Sequence, residues 1–224
     1  VAPGSIPEDE LRMLQGYKTI FVVDDSMWMY GGPWKRARRA LSQLADLAGQ
    51  YDESGIDIYF LNNRCWGGDL KDATSVEQLF SSLEPDGQTP FRGRIRELLE
   101  NYVEDMQTAG FTGRPPKPLI VVILMNEPPT GDDNLAGVIR HYAKLMDERN
   151  HPLTQLGMHL VQVDSFRKTK KYLQALDEDL NKPGDLRDML DTTPGGDLTA
   201  EKMLKIVLDG VKRRVDKQKK DESG

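Results

Sequence analysis

Four short apolar runs, spaced widely along the chain, constrain the fold more strongly than any other feature of the sequence. They are TIFVV at 19–23, IDIYFL at 56–61, LIVVILM at 119–125 and MHLVQV at 158–163. Apolar runs with little polar alternation are typical of strands that are covered on both faces, as in a parallel sheet. The runs therefore predict a central, mostly parallel sheet.

Segments of helical period separate and follow these runs. In each of them apolar residues recur at steps of three and four, which gives a helix the stripe that covers a sheet. These segments are 34–48, 95–106, 135–146, 172–180 and 203–211. Thr74 and Glu77 form a capping box, which predicts one further short helix. The alternation of strands and helices predicts an α/β fold with a doubly wound, Rossmann-like sheet flanked by helices.

The chain of 224 residues is long enough to form a single domain with a large core. We expect this domain to span 17–217. The segments at 1–16 and 218–224 are too polar to belong to the core. They are predicted to be a flexible N-terminal segment and a polar C-terminal tail.

Charge and composition exclude several classes of protein. The net charge of -6 gives no general attraction to nucleic acid. No apolar run approaches the roughly 18 residues of a membrane span, and the first residues lack a signal-peptide pattern, so a cytoplasmic location without membrane contact is expected. The single cysteine, Cys65, excludes an internal disulfide and is interpreted as a packed or incidental residue.

Three polar loops are predicted to meet at one edge of the sheet. They are DDSMWM at 24–29, GQTPFRG at 87–93 and NEPPTGDD at 126–133. In an open parallel sheet the ligand crevice lies beyond the carboxyl ends of the strands, where such loops converge. This edge is therefore the candidate functional site.

These loops also carry a resemblance to a known family. The order VVDDS, DGQTPFRG and VVILMNEPPTGDD, followed by LVQVDS, LDEDL, RDMLDTTP and LTAEKMLKIVLDGVKRRVD, covers the chain from Lys18 to about Asp216. In this order the chain resembles the von Willebrand factor A domain, and it is most similar to the fungal branch of intracellular members. That family carries a metal-ion-dependent adhesion site, which holds Mg2+ between a DxSxS loop, a threonine and an aspartate of a third loop.

The resemblance places Asp24, Ser26 and Thr89 at three of the metal positions. Trp28 replaces the last serine of DxSxS, and Met125 replaces the aspartate of the third loop. Because Mg2+ requires oxygen ligands, whereas thioether sulfur is soft and indole only donates a hydrogen bond, the resemblance implies a degenerate site. We therefore expect no bound cofactor.

The alternative is a Mg2+ site in which a neighbouring carboxylate supplies the missing ligand. The candidates are Asp25, Glu127, Asp132 and Asp133. Without a metal, the Asp24 carboxylate requires hydrogen-bond donors, either the hydroxyls of Ser26 and Thr89 or backbone amides of the neighbouring loop. The retained motif residues would then link the loops to each other.

The apolar residues MWMY at 27–30 have two interpretations. In the first, Met27 and Trp28 fold down and fill the space of the missing ion. In the second, Trp28, Met29 and Tyr30, with Met125, form an exposed apolar surface that binds a partner. Pro128, at the end of the third loop motif, is included among the candidate partner-binding residues.

Arg92, Arg94 and Arg96 straddle the predicted start of a helix, where positive charge is unfavourable. This pattern indicates either an acidic partner or intramolecular salt bridges. We favour the salt bridges.

The sequence contains no motif that indicates catalysis. It has no P-loop, GxGxxG or GxSxG motif, and its three histidines lack the spacing of zinc ligands. We therefore expect a non-enzymatic protein-protein interaction module that binds a protein partner through these loops. The alternatives are a metal-dependent ligand-binding domain and a Mg2+-dependent phosphotransfer domain of the receiver type. The pair Asn62 and Asn63, where a receiver domain needs an acidic acceptor, argues against the latter.

Overall fold

The computed structural model describes residues 6–51, 54–180 and 187–221, and a six-stranded sheet forms the centre of this part of the chain. The order of the strands is β3-β2-β1-β4-β5-β6, and all neighbours are parallel except β2 and β3. The strands are β1 (Lys18–Val23), β2 (Ile56–Phe60), β3 (Trp66–Leu70), β4 (Leu119–Met125), β5 (Leu156–Gln162) and β6 (Leu190–Thr193).

Seven α-helices of the described residues cover both faces of the sheet. They are α1 (Glu8–Met13), α2 (Gly32–Tyr51), α3 (Ala73–Ser81), α4 (Phe91–Thr112), α5 (Leu135–Glu148), α6 (Arg167–Leu180) and α7 (Ala200–Asp221). Apolar residues of α1, α2, α3 and α7 pack on one face, and those of α4, α5 and α6 pack on the other. Among these helices, none is both long enough and apolar enough to cross a bilayer.

The strand order confirms the predicted doubly wound α/β fold. The direction of winding reverses between β1 and β4, which are neighbours in the sheet although they lie far apart in sequence. Helices that follow the two strands lie on opposite faces, and in open α/β sheets the loops at such a reversal are the usual place of a ligand site. Successive side chains of β4 point to opposite faces of the sheet: Val122 and Leu124 pack into one core, and Ile123 and Met125 pack into the other.

Two strands were missing from the sequence prediction, and both lie at sheet edges. β3 (WGGDL) is mostly exposed and contains two glycines, so it lacks the apolar run of a buried strand. β6 has only four residues, of which Leu190 and Asp191 are buried. Edge strands bury less apolar surface, and their sequences therefore carry a weaker signal.

The predicted capping box is wrong. The helix α3 begins two residues earlier than Thr74 would place its cap, because Asp72 is the N-cap residue and accepts a hydrogen bond from the Ser75 amide at 2.8 Å. Asp is as good a cap as Thr, and both choices fit the sequence. Cys65 is exposed in the loop between β2 and β3, so it is not packed.

The N-terminal region contributes to the core, contrary to the expectation from its polarity. Leu11 of α1 is 4% exposed and belongs to the cluster formed with α2 and α7. Glu10 pairs with Lys212 of α7 at 2.6 Å. A six-residue helix with one buried leucine is too short to show a periodic stripe. Residues 1–5 and 222–224, which were included in the two terminal segments, lie outside the described residues.

Arg214 of α7 is buried and joins this helix to β5 and β6. Its Nη2 atom donates to Asp191 Oδ2 at 3.1 Å and to Met189 O at 3.4 Å. Arg213 makes a second ion pair with Asp191. The guanidinium lies over Gly157 of β5, where an added Cβ would come within 2.3 Å of Arg214 Cζ. Only glycine allows this close approach.

We expect Gly157→Ala to lower the free energy of unfolding by roughly 3 kcal/mol, because the new methyl group displaces the guanidinium and leaves Asp191 buried without its full set of partners. Chemical denaturation measures this change. Gly93→Ala in α4 is the matched control, since a Cβ at Gly93 meets no atom within 4 Å. That control should be neutral or stabilising by up to about 1 kcal/mol. Equal effects of the two substitutions would contradict the role given to Gly157.

Candidate functional site

The three predicted loops converge beyond the carboxyl ends of β1 and β4. The amide of Asp24, directly after β1, donates to Leu124 O of β4 at 2.8 Å. The loop before α4 reaches the same place, because the Asp86 amide donates to Asp25 O at 2.8 Å. The third loop continues from β4 itself. The site is therefore at the point where the winding of the sheet reverses.

Asp24 is fully buried beneath these loops, and two backbone amides bind its carboxylate. Ser26 N–H donates to Oδ1 at 2.9 Å, and Asn126 N–H donates to Oδ2 at 3.2 Å. Burial raises the pKa of Asp24 to about 6, and the Ser26 side chain and the amide hydrogen bonds act in the opposite direction. Of the donors expected for Asp24, the backbone amides are present and the Ser26 side chain acts on the carboxylate, whereas the Thr89 hydroxyl donates to Pro128 O.

Asn126 is the residue that connects most elements of the site, and the sequence analysis assigned it no role. Its Nδ2 donates to Trp28 O at 2.7 Å, and its carbonyl accepts from Thr169 Oγ1 of α6 at 2.7 Å. Together with its amide bond to Asp24, these contacts join the β1 loop, the end of β4 and α6. Its position as the first polar residue after a long apolar run was the available signal.

The second acid of the β1 loop, Asp25, binds the loop after β2. Its Oδ1 accepts from the Asn62 amide at 2.7 Å, and its Oδ2 accepts from the Asn63 amide at 2.9 Å. The Asn62 side chain also donates to Gln88 O at 2.9 Å. Asp25 thus links the β1 loop with the loop before α4 through a neighbouring asparagine.

Thr89 is fully buried and links the second loop to the third. Its Oγ1 donates to Pro128 O at 2.9 Å. The preceding turn requires Gly87, whose φ of +86° is strained for any residue with a Cβ, and its carbonyl accepts from the Met27 amide at 3.2 Å. The threonine hydroxyl is therefore part of the connection between loops.

A 3-10 turn, Met27–Met29, orients the apolar residues of the β1 loop. Because this helix has three residues per turn, Met27 and Tyr30 lie on the same side, whereas Met29 points into the core. Met27, Trp28 and Tyr30 are 53%, 48% and 74% exposed, and Met29 is 0% exposed. The prediction that Met29 belongs to an exposed surface is wrong. The alternative, in which Met27 and Trp28 fold down, is also wrong.

Met125 and Pro128 are buried as well, so neither contributes to an exposed surface. Strand alternation directs the Met125 side chain into the core beneath α4, α5 and α6. Pro128 is covered by the loops, and its carbonyl is occupied by Thr89. Of the predicted partner-binding residues, the structure exposes Trp28 and Tyr30 and covers Met29 and Pro128.

Three of the four acids considered as replacement ligands are engaged elsewhere. Besides Asp25, Glu127 pairs with Lys168 of α6. Asp133 accepts from the Arg92 amide at 2.8 Å and so caps α4, while burial raises its pKa. Asp132 is exposed in its loop.

The donor set at Asp24 does not fit a tightly held Mg2+. The two carboxylate oxygens of Asp24 already accept backbone amides, and no second acid joins them. Among the described residues, no group of three or more His, Cys, Asp or Glu side chains is placed to hold a metal ion. Two neutral oxygens, Ser26 Oγ and Asn126 Oδ1, are buried without a hydrogen-bond partner in this part of the chain. Neutral donors with a single carboxylate compensate poorly for the lost hydration of Mg2+.

Arg94 binds the backbone at the end of β2, next to the site. The sequence predicted its salt bridge but not these backbone hydrogen bonds. Its Nε donates to Phe60 O at 2.6 Å and its Nη2 donates to Asn63 O at 2.7 Å, which fixes the end of β2. It also pairs with Glu97 at 3.2 Å, and Arg96 pairs with Glu100 at 2.8 Å. The predicted salt bridges are therefore confirmed for these two arginines.

Comparisons with known proteins gave matches among solved structures only. No model of a known protein family matches the chain, and the curated proteins include no match. Proximal thread matrix protein 1 from the mussel byssus is similar over 87% of this chain and 47% of its own, with 15% identity and a TM-score of 0.49. The same protein with a zinc occupied MIDAS motif gives 14% identity and a TM-score of 0.45, over 88% and 45%.

A mutant of the PilB minor pilin from Streptococcus sanguinis is similar at 12% identity with a TM-score of 0.48, over 89% of this chain and 61% of its own. The chain thus spans less than two thirds of each of these structures. At such identities, and with TM-scores below 0.5, the similarities carry no argument about residues or function.

We expect the Asp24 contribution to stability to fall as pH rises. The unfolded carboxyl ionises near 3.8 and the folded one near 6, so between these values folding retains a proton that the unfolded chain has lost. The difference between the two pKa values corresponds to about 3 kcal/mol of stability. The difference in unfolding free energy between the wild type and Asp24→Asn should fall by this amount between about pH 3 and about pH 7. A difference that is constant, or that rises with pH, would contradict the raised pKa.

Proposed function

We propose that this protein is a non-enzymatic interaction module of the von Willebrand factor A type, which binds a protein partner through the loops at the carboxyl ends of β1 and β4 and needs no metal ion. The family resemblance of the sequence motifs suggests this class, and the doubly wound fold is compatible with it. The observation that carries the proposal is the exposure of large apolar side chains on the 3-10 turn of the β1 loop.

These side chains form what we call the top-face apolar surface, defined as Met27, Trp28 and Tyr30. Each is about half exposed or more. Phe166, which is 50% exposed, follows β5 and lies at the same edge of the sheet. Of the five large apolar side chains exposed in the described residues, these four belong to the segments that follow β1 and β5, and the fifth, Trp66, begins β3. Adjacent exposed aromatic and methionine residues are typical of the centres of protein interfaces.

The loops beneath this surface are fixed, which favours binding by a preformed surface. Trp28 is held through its carbonyl by Asn126, and the Met27 amide is held by Gly87. A surface that is already ordered loses less conformational entropy when it binds. The exposed side chains therefore act as anchors on a rigid base.

Metal independence follows from the chemistry of the same loops. In the resembled family the ion is bound by oxygen ligands of the domain and completes its coordination with an acid of the partner. Here the aspartate position is a buried methionine, and the Asp24 carboxylate is occupied by amides. Binding would then depend on burial of apolar area, at roughly 25 cal/mol per Å2.

A second candidate is a metal-dependent version of the same module. The unpartnered oxygens Ser26 Oγ and Asn126 Oδ1 favour it, because buried polar atoms without partners often mark a place for water or an ion. These residues would hold Mg2+ together with Asp24. The phosphotransfer alternative gains no such support, since Asn62 and Asn63 bind Asp25 through their amides.

We expect Trp28→Ala and Tyr30→Ala each to weaken partner binding by roughly tenfold or more, as is typical of aromatic anchors at interface centres. The measurement is quantitative mass spectrometry of proteins retained by immobilised wild type and variants, followed by titration of the retained protein. Trp66→Ala is the matched control, because Trp66 is 55% exposed and belongs to the edge strand β3, two strands away from β1.

The partner should remain bound when EDTA replaces Mg2+ in the same experiment. If Trp66→Ala reduces retention of the partner as strongly as Trp28→Ala does, the interface lies elsewhere and the proposal is refuted. Loss of the partner in EDTA would instead favour the metal-dependent version.

Calorimetric titration with Mg2+ and Mn2+ distinguishes the two versions without a partner. We expect no saturable heat at millimolar metal for the wild type, because a single amide-bound carboxylate is a poor ligand set. Saturable heat that Ser26→Ala abolishes would establish the metal-dependent version. Ser26→Ala is preferred to Asp24→Ala here because it keeps the buried carboxylate and its two amide hydrogen bonds.

A further inference from the structure

One arginine of the series at the start of α4 makes no side-chain ion pair within the described residues. Arg94 and Arg96 make ion pairs with Glu97 and Glu100. Arg92 is exposed, and within the described residues its guanidinium makes no ion pair closer than 4 Å. Its charge acts on Asp133, whose carboxylate binds the Arg92 backbone amide. A positive side chain in the first turn of a helix is unfavourable unless something negative accompanies it.

Arg92 lines a groove between α4 and α5 that is separate from the top-face apolar surface. The groove has a volume of about 420 Å3, which is within the range of small-ligand sites. From α4 it is lined by Arg92, Arg96 and Glu100, and from α5 by Asn134, His141 and Tyr142.

The hydrogen-bond donors of this groove are largely available. Arg96 uses its Nε atom for Glu100 at 2.8 Å, and no contact among the described residues occupies its two terminal nitrogens. The His141 ring rests edge-on against Tyr142 at 5.1 Å and makes no hydrogen bond within the same ranges. Arg92 and Arg96 are four residues apart, so both project from one side of α4.

The amino ends of two helices lie beside the groove. Both α4 and α5 begin beside it, at Phe91 and Leu135, and the amino end of a helix carries partial positive charge. The caps Asp133 and Asn134 already bind the Arg92 and Gly137 amides. The helix dipoles of α4 and α5 therefore contribute partial positive charge, and the side chains that line the groove supply the hydrogen-bond donors.

From this arrangement we infer that the groove binds a phosphomonoester group, independently of the proposed function of the top face. Two guanidinium groups with free terminal nitrogens suit a phosphate, which accepts several charge-assisted hydrogen bonds at once. A dianion is favoured over a single carboxylate because it can bind Arg92 and Arg96 together. The group can come from a phosphorylated protein segment or from a small phosphorylated molecule.

The composition of the protein limits the size of this ligand. The net charge of -6 opposes a long polyanion, and Glu100 stands in the groove itself. A single phosphate group fits both facts, because its contacts are short-ranged and replace the pairing of Arg96 with Glu100. Removal of the Glu100 charge should therefore strengthen binding.

Heteronuclear NMR titration of the 15N-labelled protein tests the inference. The probes are inorganic phosphate, O-phospho-L-serine, a blocked pentapeptide with a central phosphoserine, and the same peptide with serine. We expect saturable shifts of the Gly137, Val138 and His141 amides with the phosphorylated probes and none with the serine peptide. Tighter binding of the phosphopeptide than of phosphoserine identifies a protein segment as the source, and equal affinity identifies a small molecule.

Variants of exposed residues separate this site from general charge attraction. Arg92→Gln and Arg96→Gln should each weaken binding about tenfold, and Glu100→Gln should strengthen it a few-fold. Arg39→Gln is the matched control, because Arg39 is exposed on α2 at the opposite face of the sheet. The inference is overturned if no phosphorylated probe saturates, or if Arg39→Gln weakens binding as much as Arg92→Gln. Circular dichroism confirms that each variant is folded.

Discussion

The burial of one carboxylate organises the loops at the carboxyl ends of β1 and β4. Asp24 lies where the winding of the sheet reverses, and it has no exposure to water. A buried charge is tolerated only when hydrogen bonds replace its hydration, so the loops must present their amides to it. Ser26 and Asn126 do so from the loops that follow β1 and β4. The conformation of the neighbouring loops follows from that requirement.

The same requirement explains why a polar loop continues with apolar residues. The Asp24 carboxylate accepts its hydrogen bonds inside the protein, and the 3-10 turn that follows lies at the surface. The 3-10 geometry sends Met29 back into the core and leaves Trp28 and Tyr30 outside. The polar and apolar halves of the segment therefore have different roles: the first fixes the loops, and the second provides the surface that we assign to a partner.

Much of the fold was predictable because its signals are local. The apolar runs of β1, β2, β4 and β5 and the helical stripes between them were recognised, since each strand is buried on both faces. The edge strand β3 was not, because its exposure and its glycines remove that signal. At the site, the convergence of the loops followed from the topology. The orientation of Met29 and the role of Asn126 depend on a turn and on contacts between distant segments, which no short pattern specifies.

The shape of β3 has a consequence for the protein in concentrated solution. Its pairing with β2 shifts register between Ile56 and Ile58, and Asp69 has a φ of 51°. Such an irregular, charged and glycine-containing edge offers few aligned backbone groups to a strand from another molecule. A strand from a second copy of the chain would therefore pair poorly with β3, and this disfavours aggregation through that strand.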